Sequence, residues 1–457
     1  MTCSHVTCGS SAWTVTLGYA DVEDVYLERF RADGRYEHAG EWKAAEEWEE
    51  SFVVKGDKEP TTVKLRSTVH GPVIEDSLAR LNGMARDITR DRAEADAGHS
   101  YVLSYAGLPI RRDGLAFVGI RRLIDATDFT EFDAALAYAS TVISLNFAFA
   151  STAGHIGYVL CGEVPLGRGK RGDERRGGDE WYPLCGWSGK HDYTGWLPHS
   201  QLPKAFDPPA GLIVSCNHAI VNYDSYPHYL GQIFRAGYRA VRAHDTLAPI
   251  AAASRLTIED FIRAQLDLTS VAAANFAACV CQADVSKAKM PEAEDELAHA
   301  ALNSMKGWDG NLSPDSTVAA TYQLMHSELV RMLLHAGVVG IGVVFGECGV
   351  DRSTFEPDGM VGGSVFEALM HGVSSDGIFK QVNELAGHLH KNVLRMLYAS
   401  RTNNGSWWVA VAGGFDRVVC KAAVSAERKL REKADRTWGA LHSTHLAHPL
   451  TAPLGFP

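Results

Sequence analysis

Apolar and polar residues alternate along much of the first 225 positions, and this alternation predicts β-strands. Positions 12–30 read A-W-T-V-T-L-G-Y-A-D-V-E-D-V-Y-L-E-R-F, with Trp13, Val15 and Leu17 at every second position. A period of two puts alternate side chains on opposite faces of a sheet. Further strands are predicted by similar patterns at 51–56, 61–68, 101–105, 115–120 and 208–218. The first part of the chain is therefore predicted to be rich in sheet.

The segment 145–160 predicts a β-hairpin that carries one polar amide. It reads L-N-F-A-F-A-S-T-A-G-H-I-G-Y-V-L, two apolar runs joined by the turn residues S-T-A-G. Asn146 stands near the start of the first run, and a buried amide without hydrogen bonds costs about 1–3 kcal/mol. Asn146 either satisfies a nearby backbone group or directs its N–H into a cleft as an oxyanion donor. The hairpin alone leaves both interpretations open.

Helical periods replace the alternation after position 229. An earlier helix is predicted from 127, where Thr127 or Asp128 would cap it, and a later one where Thr257 and Asp260 form a cap and a first-turn acid. From 436 the pattern favours a return to strand. The order indicates an α+β protein with a β-rich part of the core at 1–225, a mainly helical insertion at 226–435 and a return to the core sheet at 436–457.

Composition and charge exclude several classes of function. The chain has 457 residues and a formal net charge of -11, with its Lys and Arg scattered, so nucleic acid is not an expected partner. No apolar run approaches the roughly 20 residues of a membrane helix, so no membrane partner is expected. The nine cysteines lack zinc-site spacing and are interpreted as free or buried thiols. Histidines such as His70 and His155 are interpreted as hydrogen-bonding core or surface residues.

Several short blocks follow one another in an order that carries a resemblance. They include A-W-T-V-T-L-G-Y-A-D-V-E-D, T-V-H-G-P-V-I, L-N-F-A-F-A-S-T-A-G-H-I-G-Y, P-P-A-G-L-I-V-S-C-N and W-G-A-L-H, between positions 12 and 450. In these blocks the chain resembles the penicillin acylase family of N-terminal-nucleophile amide hydrolases, which includes acyl-homoserine-lactone acylases. The resemblance implies a four-layer αββα core with a long helical insertion. It also implies a hydrolase of carbon-nitrogen bonds in linear amides, with a small-molecule acyl-amide substrate and no organic cofactor.

The resemblance also implies roles for individual residues. In the family a precursor cuts itself and frees a serine whose α-amine, with a pKa of about 7.7–8.0, acts as the base. Asn146 matches the asparagine of the oxyanion hole, and Leu17 matches the residue whose backbone N–H is the second donor. Arg168 lies one position from the family's substrate-binding arginine.

A structural calcium ion is a further implication of the resemblance. Asp21 and Asp24 match the two acids that help to hold it, and the Glu23 carbonyl matches a further ligand. Oxygen ligands suit calcium. Where the family usually carries Asp in the A-F-A-S turn, this chain has Ser151. Without the resemblance, these acids would be interpreted as surface residues of a strand.

The matched blocks correspond to an internal part of the family's large subunit. The family's nucleophile lies well upstream of the A-W-T-V-T block, but only twelve residues precede Trp13 here. The smaller partner subunit, cut from the same precursor, is absent, and the end is also short. The expected fold is therefore truncated at both ends. The first residues show no basic-then-apolar order, so no signal peptide is predicted from them, and although members of the family are often exported, the sequence predicts no compartment.

Two residues near the start are candidate replacement nucleophiles. Ser10, in G-S-S-A-W, superficially matches the family's cleavage motif, but Trp13 already belongs to the A-W-T-V-T-L-G block, so Ser10 is interpreted as a decoy. Thr2 lacks a strand pattern after it. Two hypotheses follow: an acylase that hydrolyses a linear amide, or a truncated, inactive relative that acts at most as a binding module.

Overall fold

The computed structural model describes most of the chain. The described residues are 5–56, 59–74, 99–106, 115–139, 143–167, 184–222, 225–231, 234–253, 255–347, 396–397, 409–410 and 412–441. The chain divides into two compact units, Met1–Phe234 and Arg235–Pro457.

The described strands all lie in the first unit. They are β1 (His5–Cys8), β2 (Ser11–Leu17), β3 (Asp24–Arg31), β4 (Arg35–His38), β5 (Glu41–Ala44), β6 (Glu46–Phe52), β7 (Thr61–Thr68), β8 (Gly71–Pro72), β9 (His99–Ala106), β10 (Leu145–Ser151), β11 (Ile156–Cys161), β12 (Pro165–Leu166), β13 (Leu184–Cys185), β14 (Gly195–Trp196) and β15 (Lys204–Phe206).

Two described α-helices belong to the first unit, and the other described α-helices belong to the second. They are α1 (Leu115–Asp125), α2 (Phe129–Tyr138), α3 (Tyr238–Ala253), α4 (Ile258–Gln265), α5 (Val271–Val280), α6 (Val285–Ala288), α7 (Glu292–Ser304), α8 (Thr317–Glu347), α9 (Phe415–Arg431) and α10 (Trp438–Leu441).

The sheet that carries Asn146 has the strand order β1-β2-β10-β11-β15, and its strands pair antiparallel throughout. The predicted hairpin is confirmed as β10 and β11, with Asn146 opposite Leu160. On its other side β10 pairs with β2, so that Asn146 lies opposite Thr16 and Leu145 lies opposite Leu17. This register brings two segments about 130 residues apart in sequence into direct contact.

Helices α1 and α2 cover one face of this sheet. Phe147 and Val159 pack there against Phe132 and Leu136 of α2, and all four side chains are buried. The predicted cap of α2 is confirmed, since Asp128 accepts a hydrogen bond from the Glu131 N–H at 2.9 Å. A helical layer on a sheet is therefore present, and the full four-layer order stays a prediction.

The strand predicted at 115–120 is wrong, because this segment is the first half of α1. A short apolar run does not distinguish a strand from a helix. In the helix Leu123 is buried against α2 and the sheet, and Phe117 on another face of α1 is 79% exposed.

The other face of the sheet carries Asn146, Tyr158 and Leu160. Leu160 packs there with Leu197, Leu202 and Leu230, which lie in the connections that follow β11. The strand predicted at 208–218 is wrong, since residues 211–218 form no strand. Asn217 has φ +61°, a left-handed conformation that is incompatible with a strand and that Asn adopts more readily than most residues. This irregular segment contacts the sheet through side chains.

A second sheet in the first unit is built around β3. Strand β9 pairs along the whole length of β3, and β13 and β4 share its other edge. A separate sheet of β6, β7 and β8 carries the turn that contains His70. Glu28, on β3, is completely buried.

The second unit is helical in its described residues. Helices α5, α7, α8 and α9 enclose a core rich in alanine, including Ala277, Ala301 and Ala423. The predicted cap of α4 is confirmed as a capping box between Thr257 and Asp260. The described part of 436–457 ends at Leu441, and α10 forms there instead of a strand. The remaining predicted return to the core sheet lies outside the described residues. Among the described helices, none has the length and apolar character that crossing a membrane requires.

Candidate active site

Asn146 is almost fully buried, and all the polar atoms of its side chain have partners. Its Oδ1 accepts a hydrogen bond from the Tyr158 hydroxyl at 2.6 Å. Its Nδ2 donates to Thr16 Oγ1 and to the Leu17 carbonyl, each at 3.1 Å. Burial raises the pKa of Tyr158, so this hydroxyl keeps the proton that it donates. A donor on one side and two acceptors on the other fix the orientation of the amide.

Leu17 lies at the end of β2, directly beside Asn146. The adjacent Gly18 N–H donates to the Ser144 carbonyl at 2.7 Å, across the same strand pair. Because N–H groups alternate between the two edges of a strand, the Leu17 N–H points away from β10, toward the edge of β2 that pairs with β1. The described pairing of β1 with β2 covers Ser11 to Thr14 of β2 and does not reach Leu17. The Leu17 N–H is thus directed beyond the described end of β1.

Asn217 and Ser215 approach the same point from the irregular segment after β15. Asn217 is fully buried, and its Nδ2 donates to the Leu17 carbonyl at 2.8 Å. Ser215 Oγ lies 2.7 Å from Thr16 Oγ1. Both acceptors of the Asn146 amide therefore have a second partner. Neither residue was identified as part of the site from the sequence.

Of the predicted acids, Asp21 and Glu23 lie between β2 and β3, and Asp24 is the first residue of β3. Asp24 is buried, and its Oδ2 accepts a hydrogen bond from the Tyr193 hydroxyl at 2.7 Å. Asp21 is half-buried, and its N–H donates to the Leu230 carbonyl at 2.8 Å. The Glu23 side chain is exposed. The oxygen donors are of the kind that calcium prefers, and calcium binding here stays a prediction.

Two other residues singled out in the sequence do not join this group. Arg168 lies outside the described residues. Ser10 lies in the turn between β1 and β2, where its neighbour Ser11 pairs with Ser151. Ser151 is five residues along β10 from Asn146, which is about 17 Å at the rise of a strand. Ser10 is therefore at the far end of the sheet from the Asn146 amide, which agrees with its interpretation as a decoy.

A family model described as penicillin amidase matches residues 8–456. The chain belongs to the penicillin amidase family. The resemblance predicted from the ordered sequence blocks is confirmed.

Similar proteins include acylases of two kinds. The chain is 26% identical over 449 residues to penicillin acylase 2 proenzyme of Pseudomonas sp., a match that covers 97% of this chain and 48% of the relative. It is 28% identical over 348 residues to the acyl-homoserine lactone acylase QuiP of Pseudomonas aeruginosa, covering 71% of this chain and 37% of the relative. The chain thus spans about half or less of the length of these relatives.

A solved structure shows a similar fold. A thermostable penicillin G acylase from Alcaligenes faecalis superposes with a TM-score of 0.56 at 18% identity, covering 95% of this chain and 69% of that chain. The expectation of a mixed helix and sheet fold of the penicillin acylase type is confirmed. At this identity the likeness concerns the fold alone.

Proposed function

We propose that the chain forms part of a hydrolase of linear acyl amides, in which Asn146 Nδ2 and the Leu17 N–H bind the oxyanion. The observation that carries the proposal is the position of both donors at one end of neighbouring strands. A tetrahedral intermediate needs N–H donors fixed before the charge develops. The Tyr158 hydroxyl holds the Asn146 amide in one orientation, which supplies that fixed geometry.

Donation to substrate requires Asn146 Nδ2 to give up one of the two hydrogen bonds that it donates. The cost is limited, because Leu17 O keeps Asn217 and Thr16 Oγ1 keeps Ser215 as a partner. An acceptor that retains one hydrogen bond avoids the penalty of a buried unsatisfied group. Each acceptor of Asn146 Nδ2 thus has a second hydrogen-bond partner. This supports the proposal that the amide can release one of them and bind the oxyanion instead.

In this proposal the nucleophile is an N-terminal serine on a segment upstream of this chain. Its α-amine takes the hydroxyl proton, the oxygen attacks the acyl carbon, and the proton passes to the leaving amine. The acyl-enzyme ester is then hydrolysed by water, and the serine is restored. Extension of the sheet on the β1 side of β2 would bring such a serine toward the Leu17 N–H.

The names of the relatives suggest the substrate class and the wider assembly. Penicillin and acyl-homoserine lactones share an acyl group joined by an amide to an amine-bearing core, and Arg168 is proposed to contact the substrate. A second, smaller subunit from the same precursor is proposed as partner. Calcium, if bound, would be held by Asp21, Asp24 and the Glu23 carbonyl, and would brace the turn between β2 and β3.

The test has two steps: the gene is sequenced upstream of this chain, and two variants of the extended protein are assayed. The genomic sequence upstream of Met1 is read for an in-frame serine segment, and the extended protein is assayed on a chromogenic acyl anilide. Asn146→Ala is expected to lower kcat by about 10²–10³-fold, whereas Ser10→Ala leaves it unchanged. The proposal would be overturned if the 457-residue chain alone hydrolysed the anilide and Ser10→Ala abolished that activity. Binding of the substrate without turnover by an extended, folded protein would favour a binding module.

A further inference from the structure

A second polar cluster lies in the first unit, apart from Asn146. It joins His38 at the end of β4, His70 in the turn between β7 and β8, and Asp192 in the connection before β14. Within the part of the chain that the structure describes, it is the one group of at least three His, Cys, Asp or Glu side chains whose possible ligand atoms lie within 4.8 Å of one another. His38 Nε2 lies 2.8 Å from Asp192 Oδ2, and His70 Nε2 lies 3.0 Å from Asp192 Oδ1.

The orientation of the His70 ring is fixed by residues behind it. His70 Nδ1 lies 2.8 Å from Glu28 Oε1, and the Thr68 hydroxyl donates to the same oxygen at 2.7 Å. The ring stacks on Tyr26 with centroids 3.9 Å apart and planes within 6°. Nε2 is therefore the nitrogen that faces Asp192. A carboxylate on the remote nitrogen is the arrangement that holds histidine ligands in metal sites.

We propose that His38, His70 and Asp192 bind a divalent transition-metal ion of the zinc type. Two imidazole nitrogens and one carboxylate form a ligand set that such ions prefer over calcium or magnesium. Ligand bonds of about 2.0–2.1 Å in a tetrahedral site put ligand atoms about 3.3 Å apart. The two histidine–aspartate separations of 2.8 Å and 3.0 Å need only small outward shifts, and the three possible ligand atoms all lie within 4.8 Å of one another. The Asp192 side chain is 34% exposed, which gives the ion an entry path and water a fourth position.

Protons and one lysine compete with the metal for this cluster. Burial opposes a charged His70, but hydrogen bonds and charges of Glu28 and Asp192 outweigh burial and raise its pKa. Lys43 Nζ lies 2.7 Å from His38 Nδ1 and brings a positive charge close to the ion. Removal of this charge should therefore strengthen metal binding, whereas a cluster that serves only as a hydrogen-bonded brace gives no such gain.

The test is a zinc titration of the full chain by calorimetry, after treatment with chelator, at about pH 8 because ligand imidazoles must be deprotonated. Cobalt(II) absorption reports tetrahedral coordination independently. One ion per chain is expected for the wild type and for His155→Gln. His155 is a matched control, since it is an exposed histidine paired with Asp207 in the same unit.

The variants that change the cluster move affinity in opposite directions. His38→Gln and Asp192→Asn keep hydrogen-bonding groups and are expected to weaken zinc binding by more than about a hundredfold. Even the loss of a residue that only hydrogen-bonds a metal ligand lowers metal affinity by about 10–100-fold. Lys43→Met is expected to strengthen it several-fold. Equal affinity of the wild type and His38→Gln, both folded by circular dichroism, would overturn the proposal. So would the lack of saturable binding by the folded wild type, or an unchanged affinity in Lys43→Met.

Discussion

Asn217 donates its side-chain amide to the carbonyl of Leu17 at 2.8 Å, across 200 residues of sequence. The same carbonyl receives the Asn146 amide at 3.1 Å. Asn217 is fully buried and has φ +61°. The left-handed backbone turns the irregular segment so that the amide reaches the end of β2. Asn217 therefore acts as a positioning residue for the strand end that carries Leu17.

Replacement of Asn217 should destabilise this end of the sheet. Asn217→Ala removes the partly buried hydrogen bond to the Leu17 carbonyl, worth about 1 kcal/mol, and adds about 1–2 kcal/mol of backbone strain at positive φ. Asn217→Gly removes the side chain without this strain, since glycine tolerates this φ. Hydrogen exchange of peptides from β2 and β10 measures the destabilisation in each variant. Protection is expected to be highest in the wild type, lower in Asn217→Gly and lowest in Asn217→Ala. Protection in the Gly variant equal to wild type would contradict the positioning role.

Local signals in the sequence were sufficient for the hairpin and for the helix caps. Apolar side chains around Asn146 alternate with a period of two, which predicts strands. Asp128 and Thr257 each precede apolar residues at helical spacing, which predicts helix starts. Both signals depend only on neighbours in the chain. The strand prediction for 115–120 was wrong because a run of six residues fits both a strand and one apolar face of a helix. The packing of Leu123 and Phe132 against the sheet decides that choice, and such packing is a tertiary property.

The partners of the site could be predicted only in part. Asn146 and Leu17 were identified because each lies in a recognisable block. The pairing of Tyr158 with Asn146 could have been derived, since the hairpin register puts both on one face. The contact of Asn217 with Leu17 and that of His38 with Asp192 span 200 and 154 residues. No local pattern encodes them, because they depend on how loops return to the sheet.

Tyr158→Phe should weaken the sheet while its matched control does not. The substitution removes the hydroxyl that donates to Asn146 Oδ1 at 2.6 Å and leaves a buried acceptor without that partner. The expected loss in free energy of unfolding is about 1–3 kcal/mol. Tyr226→Phe removes an exposed hydrogen bond to the Gln201 carbonyl, where water can replace the hydroxyl. Hydrogen exchange of β10 peptides should show the loss for Tyr158→Phe alone; equal losses in both variants would argue against a buried, oriented Asn146 amide.

Asp133 should make the first unit sensitive to acid. Burial alone would raise its pKa, but hydrogen bonds from His199 and Lys204 and their charges outweigh burial and lower the pKa. A lowered folded-state pKa means that the carboxylate stabilises the fold above the ordinary pKa of about 3.9, and that this contribution is lost as the pH falls through the folded-state value. Asp133→Asn should therefore be less stable than wild type at neutral pH.

The difference between wild type and Asp133→Asn should shrink from about pH 5 downward. Urea unfolding at neutral pH and at about pH 3 measures it. Asp125→Asn is the control, because Asp125 forms an exposed pair with Arg121 at 3.1 Å, and such pairs contribute about 0–1 kcal/mol. A difference for Asp133→Asn that stays constant or grows in acid would exclude the ion pairs with His199 and Lys204 as its cause.

Cys161 should resist alkylation in the folded protein. It is buried at the end of β11, where its Sγ donates to the Leu136 carbonyl at 3.4 Å. Burial, with the charges of Glu163 and Asp133, raises its pKa to about 12. The thiolate is the reactive form, and at about pH 8 it is present in roughly one part in ten thousand.

The half-buried Cys185 and Cys216 serve as internal controls for this prediction. Iodoacetamide labelling followed by peptide mass spectrometry should modify both before Cys161, and labelling in urea should remove the difference. The protection of Cys161 then reports the packing of α2 on the sheet, because the same contact that buries the thiol supplies its acceptor. Native labelling of Cys161 at the rate of Cys185 would mean that α2 leaves this face of the sheet open, and the buried environment of the β10–β11 hairpin would have to be revised.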